Sequence, residues 1–379
     1  MGPEGPTSGS EGNEPRRATA SFARLDAKGT LVEDGHGAAA VDDDRLTVGP
    51  VVVAHLDADG LRAENYQIQL DLWPSGRLMV AGLGRRFDTF AGALAQARNH
   101  ARVVGLLAHG LGRPDVFAGA VLDGPASGRA EIHVYDTHVT IVPETGLPWQ
   151  VPFGALTRVE RLETPPAVVL REGETATTIG WLARHQEALF ALVSSRVHAQ
   201  RRLLAELTGQ EGFADGLGLS RAAVQDFDRA VARFTARERV ESARAVLAAA
   251  DAEPRLGFVA LLDPDDETLE SPSPLPQHWA SFVLAPVRGA TVLEILSGPS
   301  AATYVFRAPI DAVNRDLQAL HFRRAPLALR DEDARLTHDN PLRLALRALD
   351  PLRRLRDATT ARVIHGDGWP TAFRAALGA

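Results

Sequence analysis

One short segment holds the residue types used in acid–base catalysis, His365-Gly366-Asp367-Gly368-Trp369. A histidine and a carboxylate two positions apart cannot form a catalytic triad by themselves, because a nucleophile is missing. The sequence contains neither a G-x-S-x-G nucleophile elbow nor an H-E-x-x-H zinc motif. Since glycine and aspartate favour turns, we predict a turn before the last helix. An enzyme with a site near His365 is an alternative hypothesis.

Two arginine pairs lie beside predicted helix ends, where they could bind an anion. Arg85 and Arg86 follow Gly82-Leu83-Gly84, but the third glycine of a dinucleotide motif and the Walker lysine are missing. We therefore favour a turn that carries solvated arginines. Arg323 and Arg324 follow a predicted helix, and we expect them to stabilise its dipole; an anion or partner site is the alternative.

The most basic part of the chain is near the C-terminus, where residues 321–362 hold 10 arginines and 6 acidic residues. Arg343 and Arg347 are i,i+4 neighbours on a predicted helix. We favour a solvated helix face that pairs with the acidic N-terminal part, since no aromatic residues interleave as in nucleic-acid sites. Anion or nucleic-acid binding is the alternative, for which the candidate binding residues are Arg85, Arg86, Arg323, Arg324, Arg343 and Arg347.

The sequence predicts no metal site, no cofactor and no catalytic residue. The chain has no cysteine, which excludes disulfides and thiolate ligands. Asp42-Asp43-Asp44, followed by Asp57 and Asp59, lacks the alternating ligands of a calcium-binding loop. We therefore predict a solvated loop before a strand.

The composition predicts a globular, cytoplasmic protein with no membrane partner. The 379 residues carry a net charge of −7, and 45% of them are hydrophobic. No stretch reaches 18 uninterrupted apolar residues, and the polar N-terminal segment lacks the apolar core of a signal peptide.

Two stretches of the chain show strands that lead into one amphipathic helix. In the first, we predict a strand over 46–56, a half-buried strand over Tyr66–Trp73 and a helix from Phe87 to about Gly110. The second has predicted strands and then a helix over 182–207; these strands are 131–134, 139–142, 148–153, 156–162, 167–171 and 176–179. An offset of 98 residues places Leu94 on Leu192 and Arg98 on Arg196, which predicts a duplicated domain.

A third stretch repeats the plan after a predicted linker helix over 220–250. It has a closing helix over 310–320, and its strands are predicted at 256–262, 279–285, 291–296 and 302–307. A basic helix over 340–356 is broken at Pro351, and a short helix is predicted over 369–377.

Hairpins that end in a closing helix resemble the plan of PH-like (pleckstrin-homology-like) domains. In the second stretch, EIHVYDTHVTIVPETGLPWQVPFGALTRVERLE supplies the hairpins and WLARHQEALFALVSSRVHAQRRLLAEL the helix. The whole chain resembles a bacterial protein family with several tandem PH-like units. The stretches that carry this resemblance are GLGRRFDTFAGALAQARN, VYDTHVTIVPE, ATYVFRAPIDAVNRDLQALHFRRAPLAL and ARVIHGDGWPTAFRAAL.

The resemblance implies an α+β fold of tandem PH-like β-barrel or sandwich units, each closed by a C-terminal helix, with a helical linker and a helical C-terminal tail. The expected parts are a disordered tail 1–17, units at 18–112, 113–208 and 253–330, a linker 209–252, and a tail 331–379 packed on the third unit.

For function, we expect a non-catalytic scaffold or adaptor that binds a protein partner. PH domains that bind phosphoinositides use several cations in their first hairpin loop. Here that loop is expected at 123–129, or alternatively at 135–138, and it offers Arg129 alone, so we do not expect lipid binding. Sheet edges of PH-like units also bind peptides or pair with another chain, so we expect a protein partner and consider a homo-oligomer as a further possibility.

Overall fold

The computed structural model describes residues 16–107, 113–208, 255–258, 281–287, 290–295, 302–320, 342–364 and 367–378. These residues form a mixed α+β protein with two large curled antiparallel sheets, a smaller third sheet and few helices. They divide into two compact units. Of the described residues, unit 1 holds 16–105, Glu144–Leu147 and 342–344, and unit 2 holds the rest.

Unit 1 contains a seven-stranded antiparallel sheet with the strand order β4-β3-β2-β1-β7-β6-β5. The helix α1, Phe87–Gly105, follows β7 and buries Phe90 and Leu94 in the same core as the strands. The strands are β1 Arg17–Leu25, β2 Leu31–Val41, β3 Arg45–Val48, β4 Val51–Ala54, β5 Ala58–Glu64, β6 Gln67–Leu72 and β7 Arg77–Ala81.

Two sequence-based predictions in unit 1 are wrong at their boundaries. The single strand predicted over 46–56 is the hairpin of β3 and β4, because Gly49 takes a φ of 57° and turns the chain. The rest of that segment, His55 and Leu56, belongs to the 3-10 turn His55–Asp57. Helix α1 ends at Gly105 and does not continue to Gly110. The alternating strand β6 is confirmed, with Ile68 and Leu70 buried.

Unit 2 begins with a sheet of the same plan, in the order β11-β10-β9-β8-β14-β13-β12. Its helix α2, Gln186–Thr208, buries Leu189, Val193 and Val197 against the strands. The strands are β8 Asp115–Asp123, β9 Gly128–Val134, β10 His138–Pro143, β11 Trp149–Pro152, β12 Arg158–Glu163, β13 Pro166–Glu172 and β14 Thr175–Gly180.

The two seven-stranded sheets also correspond in how their helices are buried. Helices α1 and α2 begin 99 residues apart, and the buried Leu94 then falls on the buried Val193. Arg98 falls on Val197 in this register. The predicted offset of 98 is therefore wrong by one residue within the helices, because it aligned identical residue types and not buried positions.

The third sheet, also in unit 2, is antiparallel with the order β15-β16-β17-β18-β19. Its strands are β15 Arg255–Phe258, β16 Ser281–Val287, β17 Ala290–Ile295, β18 Ala302–Phe306 and β19 Thr359–Ile364. The remaining helices are α3 Ile310–Ala319, α4 Leu342–Ala348, α5 Asp350–Ala358 and α6 Trp369–Gly378.

The C-terminal part is not helical throughout, which corrects the prediction for 331–379. Strand β19 pairs antiparallel with β18, and its threonines, valine and isoleucine are β-branched residues that favour strands. The predicted break near Pro351 is confirmed, because α4 ends at Ala348 and α5 begins at Asp350. The predicted linker helix over 220–250 and residues 1–15 of the predicted tail lie outside the described residues. The predicted tail boundary at residue 17 is wrong, because Arg17 is the first residue of β1 and pairs with Ala40 of β2.

Candidate functional site

The C-terminal segment with catalytic residue types is described only in part. His365 lies outside the described residues, while Asp367 and Gly368 form an exposed turn before α6, as predicted. Across the described ranges, no group of three or more His, Cys, Asp or Glu side chains has the arrangement of a metal site.

The candidate arginines near the start of α1 are exposed. Arg85 and Arg86 lie in the 3-10 turn Gly84–Arg86, directly before the helix. Arg86 Nη1 donates a hydrogen bond to the carbonyl of Arg17, at 2.8 Å. Arg86 therefore ties this turn to the first residue of β1. Arg323 and Arg324 lie outside the described residues.

Arg343 is buried in unit 1, which corrects the prediction of a solvated helix face at this residue. Its side chain is 8% exposed, and Nη2 lies 3.0 Å from Asp57 Oδ1. The guanidinium carbon also lies 5.1 Å from the centre of the Trp73 ring, in a cation–π contact. Arg347 belongs to unit 2 and is half-buried. The structure therefore does not place Arg343 and Arg85 in one exposed basic surface.

Other arginines of the C-terminal cluster are also paired with carboxylates. Arg354 makes a bidentate contact with the buried Asp316, with Nε–Oδ2 and Nη2–Oδ1 distances of 2.9 and 2.6 Å. These hydrogen bonds raise the pKa of Arg354. Arg353 pairs with Asp350 one helical turn earlier. The positive charge of this segment is thus partly neutralised within unit 2.

Sequence reasoning missed two buried arginines on α1. Arg98 and Arg102 are 1% and 0% exposed. Arg98 donates to the carbonyls of Ala58, Asp59 and Glu144, and Arg102 donates to that of Gly146. The signal that could have found them is their i,i+4 spacing on the apolar face, where two arginines interrupt a run of buried aliphatic residues.

Unit 2 has an exposed tryptophan in an unfavourable backbone conformation. Trp181 directly follows β14, is 70% exposed and has a φ of 54°, in the left-handed region. Ala183, two residues later, has a φ of 47°. In unit 1 the corresponding left-handed positions are glycines, Gly82 and Gly84. Glycine has no side-chain penalty there, so at these two positions unit 2 carries backbone strain that unit 1 avoids.

The strand beside Trp181 has an open edge. Strand β14 pairs with β8 only at Ala120, Val121 and Asp123, so β8 residues 115–119 pair with β9 alone in the described part of the chain. Val116, within this stretch, is 55% exposed. Apolar side chains and unpaired backbone groups therefore lie together at this edge. We call residues 115–119 together with Trp181 the Trp181 surface.

No protein-family model matches the chain, and no curated protein matches it significantly in sequence. None of the helices among the described residues combines the length and apolar character that a membrane span requires.

Proposed function

We propose that this protein is a non-catalytic protein-interaction scaffold whose two seven-stranded units are PH-like. In each unit, seven antiparallel strands in one order are followed by a helix that packs into their core. This plan supports PH-like identity, because an amphipathic helix that closes a curled sheet buries the apolar faces of both. We also propose a cytoplasmic location and an unidentified protein partner.

The observation that carries the proposal is Trp181. A left-handed conformation costs a non-glycine residue about 1–3 kcal/mol. At the equivalent position of unit 1 this strain is relieved by Gly82, yet unit 2 keeps a large, 70% exposed indole there. Tryptophan is enriched among the residues that dominate binding energy in protein interfaces. Strain retained at an exposed tryptophan is therefore best explained by a contact that the indole makes with a partner.

The open edge of β8 indicates how that partner binds. An extended segment can add a strand beside residues 115–119, because backbone pairing supplies affinity and side-chain contacts supply specificity. Val116 and the Trp181 indole would then contact apolar side chains of the added strand. We propose a protein segment with apolar side chains as the ligand of the Trp181 surface.

The proposal is tested with Trp181→Gly in the full chain. Loss of indole contacts and relief of backbone strain oppose each other, so we expect the free energy of unfolding to change by less than about 1 kcal/mol. Ala183→Gly is the matched control, because it relieves similar strain and leaves the indole in place. Both variants and the wild type are tagged, recovered from the native host and compared by quantitative mass spectrometry.

The expected result is a set of proteins retained by the wild type and Ala183→Gly and lost from Trp181→Gly. Equal recovery on all three chains would refute the Trp181 surface. The alternative of nucleic-acid binding through Arg343 and Arg347 has less support, because Arg343 is buried against Asp57. No observation on the described residues favours an enzyme near His365.

A further inference from the structure

A cavity of about 490 Å³ lies in unit 1, beside the edge strand β4. We call it the β4 cavity. Its volume is within the range of binding pockets for small ligands. It is lined by Arg24, Arg45, Val51, Val52, Val53, Ala54, Asp57, Leu72, Trp73 and Pro74. Since all four residues of β4 line it, the backbone of this strand borders the cavity.

Strand β4, whose residues line the cavity, has backbone groups on its outer edge that pair with no described strand. The two-residue turn between β3 and β4 makes Val51 a hydrogen-bonded partner of β3, and bonding then alternates along the ladder. The hydrogen bond from His55 N to Asp44 O, at 2.8 Å, agrees with this alternation. The N–H and C=O groups of Val52 and Ala54 therefore point away from β3, and no strand of the described sheet pairs with them.

Two arginines give the rim of the cavity a positive charge. Arg24 is exposed, and its guanidinium makes no ion pair or hydrogen bond within the described ranges. Arg45 lies 3.3 Å from Asp44 at the exposed surface, where such pairs are weak. Asp57, the one acidic residue among the described residues that line the cavity, is paired with Arg343. The excess of positive charge favours an anionic ligand.

The same cavity has an exposed apolar wall. Val52 is 58% exposed and Trp73 is 38% exposed, next to Leu72 and Pro74. The cation–π contact with Arg343 restrains the Trp73 indole. A restrained aromatic ring beside open backbone groups suits an extended chain whose alternate side chains point to one face.

We propose that unit 1 binds an extended acidic peptide in the β4 cavity. The peptide adds a strand to β4, places an apolar side chain against Trp73 and Val52, and directs a carboxylate to Arg24. A four-residue segment, about 13 Å long, matches the length of β4. This binding mode rests on unit 1 alone, so it does not depend on the Trp181 surface.

The test measures peptide binding to the full chain by fluorescence anisotropy. The probe is a labelled pool of hexapeptides with Glu at positions 2 and 4 and Val, Ile, Leu or Thr elsewhere. One control pool carries Lys in place of Glu, and another carries N-methyl groups that prevent strand pairing. We expect binding of the acidic pool alone, weakened about fivefold by Arg24→Gln and weakened further at 0.5 M salt.

Matched variants separate this site from general charge attraction. Arg62→Gln removes an exposed arginine from β5 and should leave binding unchanged, whereas Val52→Glu should abolish it. Equal losses from Arg24→Gln and Arg62→Gln, or equal binding of the N-methylated pool, would overturn the proposal. So would Arg24-dependent binding to phosphatidylcholine vesicles containing phosphatidylserine without peptide binding. A dimer of the free chain that Val52→Glu dissociates would assign the edge to a second copy instead.

Discussion

Substitution of Arg98 by methionine would show how far one buried arginine stabilises unit 1. Arg98 Nε donates to the carbonyl of Ala58 at 2.9 Å. Its Nη2 donates to the carbonyls of Asp59 and Glu144, at 3.0 and 3.2 Å. Methionine retains most of the apolar stem and donates no hydrogen bond. The substitution therefore removes the donors with little change in packing.

The expected loss follows from the burial of the three acceptors. A hydrogen bond from a charged donor contributes about 1.5–3 kcal/mol when its partner has no substitute. Ala58 is buried, Asp59 is half-buried and Glu144 is exposed, so water can replace Arg98 most easily at Glu144. We expect Arg98→Met to lower the free energy of unfolding of unit 1 by about 3 kcal/mol.

Hydrogen exchange gives a local measurement of this effect. The amides of Leu61 and Gly146 donate to the carbonyls of Glu144 and Asp59, the same segments that Arg98 joins. Both amides should exchange faster in Arg98→Met, and urea should unfold unit 1 at a lower concentration. Arg62→Met on β5 is the control, with an expected change within about 0.5 kcal/mol, because Arg62 is exposed and makes no ion pair or hydrogen bond within the described ranges. Unchanged exchange at both amides would refute the reasoning.

Two further predictions concern unit 2. Burial raises the pKa of Glu172 from 4.5 to about 7, so the folded state holds its proton more tightly than the unfolded state. Its destabilising effect therefore grows as pH rises from 4.5 to 7. Glu172→Gln should stabilise the protein by about 2 kcal/mol at pH 8 and have little effect at pH 4.5, unlike the exposed control Glu174→Gln, measured by thermal unfolding. Arg354→Ala should destabilise by about 2 kcal/mol in urea, because it leaves buried Asp316 without its bidentate partner, whereas Arg353→Ala should have almost no effect.

The strands that sequence reasoning found are those with a clear apolar period. Strand β6 alternates between buried and less buried residues, and β13 is a run of buried aliphatic residues. Strand β2 was missed because its first six residues, LVEDGH, are mostly exposed and include two acidic side chains. Pairing with β1 makes this segment a strand, and such a long-range effect leaves no period in the sequence.

The candidate sites depended even more on tertiary structure. The sequence predicted that Arg343 lies on a solvated helix face and pairs with the acidic N-terminal part. Arg343 does contact Asp57, but the contact is buried, and composition carries no information about burial. Nothing in the sequence indicated that Trp181 is a candidate binding residue. Its exposure and its left-handed backbone depend on where β14 ends, which the sequence pattern does not specify. The β4 cavity also joins positions far apart in sequence, Arg24 and Trp73 among them.

The two seven-stranded sheets differ at one equivalent strand edge, that of β1 in unit 1 and of β8 in unit 2. This difference is relevant to function. In unit 1, residues 17–20 of β1 do not pair with β7, and Arg86 donates a hydrogen bond to the carbonyl of Arg17 in this segment. The residue 99 positions later is His185, whose ring lies 6.4 Å from that of Phe117. In the part of the chain that the structure describes, the corresponding edge of β8 pairs with no strand, and Trp181 lies beside it. Since shared strand order preserves the fold while edge residues determine what can pair there, each unit should select its own ligand.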